Sequence, residues 1–211
     1  EVYYEIKNEM HIPVAHGYGM TECPMIAQGS PDDTDDQLAH SEGAPVFRCE
    51  ISIVRTDGTA AAPDEEGEVR LAGPMLFKGY TDPSLNATAF DELGRFRTGD
   101  LGVRRTDGHV TLTGRLKDVI IRKGENISAK EVEDVIYTHP KVGDVAVIGL
   151  PDRERGERVC AVVETAPDQT PLTFAEMTDW CRQAGLMTQK IPEQLEVREK
   201  LPRNATLKVL K

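Results

Sequence analysis

Along the first half of the chain, apolar and polar residues alternate over short stretches broken by glycine and proline. In "FRCEISIVRTDGTAA", Cys49, Ile51 and Ile53 fall on one side and polar residues on the other, the period of a half-buried strand. Asp57-Gly58 then supplies the chemistry of a tight hairpin, where the backbone must take a positive φ. The same "RTDG" string recurs at 105–108 between two more strand-like runs, and hairpin chemistry accounts for both copies without an internal repeat. "GEVRL" at 67–71 and the stretch from Phe96 read as further short strands. Many short strands with Gly and Pro turns predict a small barrel or sandwich.

After Gly114 the pattern changes. "KDVIIRKGENIS" reads as a short hairpin, and Ser128 with Glu131 forms a capping box that opens a helix. Val132, Val135 and Ile136 follow at helical spacing, and Pro140 lies just past the end. "DVAVIGL" and "RVCAVVET" are β-branched strands; Thr173 and Glu176 open a second capped helix through Trp180, which Gly185 stops. "EQLEVREKL" is a last strand. Strand and helix now alternate over one small domain's length, which puts a boundary at 115–118. The expected class is therefore α+β: a small β-barrel-like piece over 1–114, then a small α+β domain over 115–211.

Charge narrows the function. The chain carries 25 Lys and Arg against 36 Asp and Glu, a net charge of −11, which disfavours nucleic acid and anionic membrane surfaces as partners. No apolar run is long enough for a transmembrane segment, and no signal peptide is present, so a cytoplasmic location is expected. Cys23, Cys49, Cys160 and Cys181 show no CxxC or Cys/His spacing for zinc and read as reduced thiols. The acidic run 32–36 lacks the Gly and distal Glu of a calcium loop and reads as a solvated loop; "DRERGER" at 152–158 mixes signs and reads as an exposed turn. The opening "EVYYEIK" has no cap or leader and reads as a cut through a larger protein.

Five strings remain: "GYGMTE" at 17–22, "GEVRLAG" at 67–73, "FRTGD" at 96–100, "GRLKDVIIRKGENIS" at 114–128 and "LPRNATLKVLK" at 201–211. Each alone is weak. Their order and spacing together resemble the adenylate-forming (AMP-binding) superfamily of acyl-CoA synthetases, luciferases and peptide-synthetase adenylation domains. The resemblance covers the whole chain as the C-terminal portion of such an enzyme: the end of the large domain, then a mobile lid. It implies an ATP-dependent acid–thiol ligase, with a fatty acid or other carboxylic acid, ATP/AMP, Mg²⁺ and CoA as its small-molecule partners. A carboxylate attacks the α-phosphate of ATP, pyrophosphate leaves, and a thiol then displaces AMP. Charge builds up in the first step, so cations and a metal belong where it develops.

By that resemblance Tyr18, flanked by Gly19, packs on the adenine, Thr21 contacts phosphate, and Glu22 holds Mg²⁺. Asp100 accepts the ribose hydroxyls and Arg115 sits by ribose and phosphate, where a guanidinium fork suits oxygen acceptors better than a lysine. His16 and Gly17 flank the acyl pocket. Lys117 and Asp118 are the hinge, Gly124 with Lys123 lets the arm of CoA approach the backbone, and Lys208 is the mobile catalytic lysine. On the residues alone, Thr21-Glu22 would be a helix start, Asp100 a Gly-Asp turn, and Lys208 a solvated tail lysine beside Lys200 and Lys211. One position departs from the family: Leu207 stands where a glycine usually precedes the lysine, and Leu resists the positive φ that Gly permits. The family's Ser/Thr/Gly-rich phosphate loop is not in these residues, so the missing N-terminal part of the same protein is an expected partner and the chain alone is expected to be inactive. Two other readings remain open: an adenylation domain that loads a carrier protein, and a non-catalytic, nucleotide-responsive interaction module.

Overall fold

The computed structural model describes residues 2–12 and 14–211. The chain divides into two compact units, the first ending at Leu116 and the second beginning at Lys117.

The first unit holds α1 (Val2–Met10), β1 (Gly17–Met20), β2 (Cys23–Gln28), α2 (Asp35–His40), β3 (Ala44–Pro45), β4 (Glu50–Val54), β5 (Gly67–Ala72), α3 (Pro83–Ala89), β6 (Phe96–Arg104) and β7 (Val110–Arg115). Its strands form a three-stranded antiparallel sheet, β1-β2-β3, and a four-stranded antiparallel meander, β4-β5-β6-β7. The meander stays open rather than closing into a barrel: among the described residues no further strand pairs with β4 or β7, and only short loop segments bond their outer sides, Ala61 N–H to the Ile53 carbonyl and Val110 with Glu42 and Gly43. Ile51 and Ile53 of β4 point into the core as their alternation predicts, beside Tyr18, Ile26, Val69, Leu71, Phe96 and Val110. Phe77 fills the centre of an aromatic cluster, with Tyr80, Phe90 and Phe96 at ring-centroid distances of 4.8, 5.7 and 5.2 Å.

Three helices in this unit went unpredicted. The run 32–36 is only partly a solvated loop, because Thr34 and Gln37 make a full capping box and Asp35-Asp36 occupy the first turn of α2. Asp82 caps α3 by accepting Ser84 N–H at 2.9 Å, and Pro83 takes the first helical position. The opening residues "VYYEIKNEM" form α1.

The second unit holds β8 (Val119–Arg122), β9 (Glu125–Ser128), α4 (Ala129–Tyr137), β10 (Val142–Asp152), β11 (Gly156–Thr165), α5 (Phe174–Gln183) and β12 (Gln194–Arg198), with a 3₁₀ turn Leu116–Asp118 at the junction of the units. Its sheet runs β10-β11-β8-β9, and β12 adds parallel to β11. The β8–β9 hairpin turns on two residues with positive φ, Lys123 at 52° and Gly124 at 83°, the conformation that suits the right-handed twist of a two-residue hairpin. Ser128 Oγ accepts Glu131 N–H at the start of α4, and Thr173 and Glu176 cap α5 reciprocally. Gly185, at φ 81°, ends α5, and Leu186 N–H reaches back to the Cys181 carbonyl at 3.0 Å. Both helices cover one face of the sheet, giving a core of Val132, Ile136, Val145, Val147, Val159, Val163, Met177 and Cys181.

Candidate functional site

In the first unit the local sequence builds a short platform. β1 and β2 form a hairpin whose two loop residues are Thr21 and Glu22, so this pair is a turn and not a helix start. Gly19 is required by close approach, since a Cβ there would lie 2.2 Å from the Pro24 carbonyl oxygen. β6 carries a bulge: Arg70 pairs with Arg97 but Glu68 pairs with Leu101, and Gly99 absorbs the irregularity at φ 72°. The bulge is pinned by Thr98, whose hydroxyl donates to the Val69 carbonyl at 2.7 Å and accepts Asp100 N–H at 3.0 Å.

Asp100 thereby points at β1 and β7. It is only 5% exposed, and both carboxylate oxygens are engaged. Tyr18 Oη donates to Oδ2 at 2.6 Å, and Arg115 Nε, directly opposite across β6–β7, donates to Oδ1 at 2.8 Å. Burial, then the bond to Asp100, push the Tyr18 phenol far above its usual range, so it acts as a neutral donor. Most of the Tyr18 ring is spent on the core, at 8% exposure, whereas the Arg115 side chain is 53% exposed. Three of the residues expected around one nucleotide, Tyr18, Asp100 and Arg115, are therefore in contact, joined through a single carboxylate.

Glu22 is held separately. Tyr80 Oη donates to Glu22 Oε1 at 2.8 Å, and Phe77 N–H donates to the Glu22 carbonyl at 2.7 Å. Among the described residues no group of three His, Cys, Asp or Glu side chains could hold a metal. One half-buried carboxylate fits a Mg²⁺ that takes most of its ligands from phosphate and water. Thr21, His16 and Gly17 are exposed, and the His16 carbonyl accepts Gly29 N–H at 2.9 Å.

The second unit carries the remaining candidates. Lys117 and Asp118 sit in the junction turn, where Asp118 lies 3.7 Å from Lys211 Nζ. Lys123 and Gly124 form the tip of the β8–β9 hairpin. Lys208 belongs to a tight turn organised by Asn204, whose side-chain oxygen accepts the N–H groups of both Thr206 and Lys208 at 3.0 Å. Arg203 and Val209 bridge its base. Leu207 does take the positive φ, at 64°, in place of a glycine, and is 73% exposed. The Lys208 ammonium has no ion pair among the described residues.

Sequence reasoning missed Tyr80, Thr98 and Asn204, which hold Glu22, Asp100 and the lysine turn. Thr98 and Asn204 carry a local signal, a hydroxyl or amide two to four residues before the group it fixes. Tyr80 carries none, because the fold alone brings it across 58 residues.

Two family models match the chain: AMP-binding enzyme over residues 1–81 and AMP-binding enzyme C-terminal domain over 131–208. The medium-chain fatty-acid–CoA ligase of Escherichia coli is 38% identical over 195 residues, 92% of this chain and 34% of that protein. A salicyl-AMP ligase/salicyl-S-ArCP synthetase of Mycobacterium tuberculosis is 38% identical over 172 residues, 81% of this chain and 30% of that protein. Among solved structures, o-succinylbenzoate coenzyme A synthetase from Bacillus subtilis in complex with ATP and magnesium ion superposes with a TM-score of 0.86 at 38% identity, covering 97% of this chain and 42% of that one. The chain thus spans about a third of the length of these curated relatives. No helix among the described residues is long and apolar enough to cross a membrane.

Proposed function

Because the chain belongs to the AMP-binding enzymes, we propose that it forms the C-terminal part of an ATP-dependent acyl-CoA synthetase. The observation that carries this reading is Asp100, a buried carboxylate held between Arg115 on the neighbouring strand β7 and Tyr18 on β1 of the other sheet. A carboxylate preorganised in this way can accept two adjacent hydroxyls, and the exposed guanidinium beside it suits phosphate oxygens. Glu22, fixed by Tyr80, would hold Mg²⁺, which supplies charge neutralisation at the phosphates. Thr21 would donate to phosphate from the hairpin loop, and His16 and Gly17 would border the acid. Lys208, on a tight turn and without an ion pair among the described residues, would place its ammonium where negative charge develops as the acid's carboxylate displaces pyrophosphate. Residues 1–116, Arg115 on β7 among them, would belong to the large adenylate-forming domain and 117–211 to the mobile lid, two residues past the boundary expected from the sequence, with Lys117 and Asp118 as the hinge. CoA would then attack the acyl-adenylate with its thiol, with AMP leaving. The free cysteines suit the reducing cytoplasm, and ATP binding would need the rest of the large domain.

A second reading, loading of a carrier protein instead of CoA, is favoured by the salicyl-S-ArCP synthetase likeness. Both are tested in the parent protein by acid-dependent ATP–pyrophosphate exchange, followed by transfer to CoA. Exchange with CoA thioester formation supports the synthetase; exchange without it supports carrier loading. No exchange with any carboxylic acid, with AMP binding retained, would leave the non-catalytic, nucleotide-responsive interaction module. The 211-residue chain alone is expected to show no exchange.

A further inference from the structure

The β8–β9 hairpin is weakly tethered by its own ladder. It pairs with β11 at a single position, Arg122 opposite Gly156, and an isolated two-stranded hairpin is marginal in water. Its tip is also strained, because Lys123 lacks the freedom of glycine at φ 52°. Gly124 faces open space: a Cβ built on it meets nothing within 4 Å. Glycine is therefore demanded there by backbone conformation, and the backbone is left approachable.

Three contacts compensate for the short ladder. Lys123 N–H donates to the Arg155 carbonyl at 2.7 Å, and Ile121 N–H donates to Glu157 Oε2 at 2.6 Å. The third is Glu193, which joins three segments. Its own N–H is bonded to the Val159 carbonyl of β11 at 2.9 Å, which fixes its backbone. Its carboxylate receives Arg122 Nε at 3.1 Å and a terminal Arg122 nitrogen at 2.7 Å, a fork that also sets orientation. Arg155 Nε, from the β10–β11 turn, lies 3.0 Å from the same carboxylate, an ion pair without hydrogen-bond geometry. The side chains of Arg122, Glu193 and Arg155 are 18%, 25% and 34% exposed, which limits screening of the pairs. Arg122 above all holds the Glu193 carboxyl below its ordinary range.

We propose that Glu193 is a positioning residue for the thioester-forming half-reaction: by clamping Arg122 and Arg155 it holds the Lys123-Gly124 turn in the shape that lets the thiol arm of CoA run along the backbone. The proposal rests on the acyl-CoA synthetase reading above. Glu193 has no part in the adenylation chemistry assigned to Asp100, Glu22 and Lys208, so the two half-reactions should separate.

The test uses Glu193→Gln and, breaking the same pair from the other side, Arg122→Gln. On the 211-residue chain, amide hydrogen exchange at Lys123, whose N–H is bonded to the Arg155 carbonyl, is expected to quicken at least about tenfold while α4 keeps its protection. In the parent protein, pyrophosphate exchange should stay within about twofold of wild type while CoA-dependent AMP release falls about tenfold to a hundredfold, the scale of a misplaced reacting group. Equal loss of both half-reactions, unchanged AMP release, or unchanged exchange at the tip would each overturn the proposal. A wild-type parent that forms acyl-adenylate but never a CoA thioester would overturn both the CoA role and this proposal. A parent with no adenylation at all would sink the functional reading and the thioester role with it, while the amide-exchange arm would still judge the anchoring of the turn by Glu193.

Discussion

Asp100 and Lys208 are assigned to one reaction but are built in opposite ways. Asp100 is buried, sits on a bulged central strand, and has every carboxylate oxygen bonded. Lys208 is exposed on a turn, and only its backbone is fixed. On the proposed reading, a group that must stay in place for a nucleotide is preorganised at the expense of burying charge, whereas a group that must arrive and leave has no ion pair among the described residues. Mutations should therefore affect stability and activity differently in the two regions.

The largest effect is expected just beneath the Asp100 platform. Arg70 and Glu68 form a buried pair at 2.8 Å on β5, and Arg70 also bonds Asp91 at 3.0 Å. Arg70→Ala would leave the buried Glu68 without its close partner and Asp91 with Arg95 alone of its two guanidinium groups, and should cost about 3–5 kcal/mol, read by urea unfolding. The same cluster sets an acid limit. Burial raises the Asp91 carboxyl, but Arg95 N–H and the Arg70 and Arg95 guanidinium groups outweigh it and hold it down at about 2. A depressed folded value means that the stabilisation is complete above the unfolded value, 3.8, and is lost as pH falls from there through about 2. Melting between pH 5 and 2 should show that loss, and Asp91→Asn should flatten it; an unchanged slope would contradict it.

Asp100→Ala comes next. It leaves the buried Tyr18 hydroxyl without its acceptor and should cost about 1–3 kcal/mol of stability as well as nucleotide binding. In the lysine turn the effects are small and the signs differ. Leu207→Gly relieves the positive φ and should stabilise the second unit by about 1 kcal/mol in thermal melts. Lys208→Ala should change stability by less than about 0.5 kcal/mol while lowering acyl-adenylate formation in the parent at least about a hundredfold. A destabilising Lys208→Ala would erase the contrast with Asp100.

Legibility followed the same division. In the second unit caps, hairpin and helix spacing are local signals, and Ser128, Thr173 and Gly185 marked the helix ends. In the first unit the capping box at Thr34 was hidden inside an acidic run, and the Asp82-Pro83 start of α3 inside a polar stretch. Glu68 and Arg70 look like the outward face of an alternating strand, yet both are buried because Asp91 and each other satisfy them. Asp100 was visible through its motif, but not the bulge and hydroxyl that aim it. Leu207 was read as resisting the left-handed turn; the network around Asn204 supplies enough hydrogen bonds to hold it there.

The central claim is that the Asp100 carboxylate receives the hydroxyls of a ribose. It is tested most directly by titration calorimetry of the parent protein with AMP and with 2′,3′-dideoxy-AMP. The wild type should bind AMP about tenfold to a hundredfold more tightly than the dideoxy analogue, the worth of one or two hydrogen bonds to a charged acceptor, and Asp100→Ala should bind both alike. Equal affinity of the wild type for the two nucleotides would contradict it.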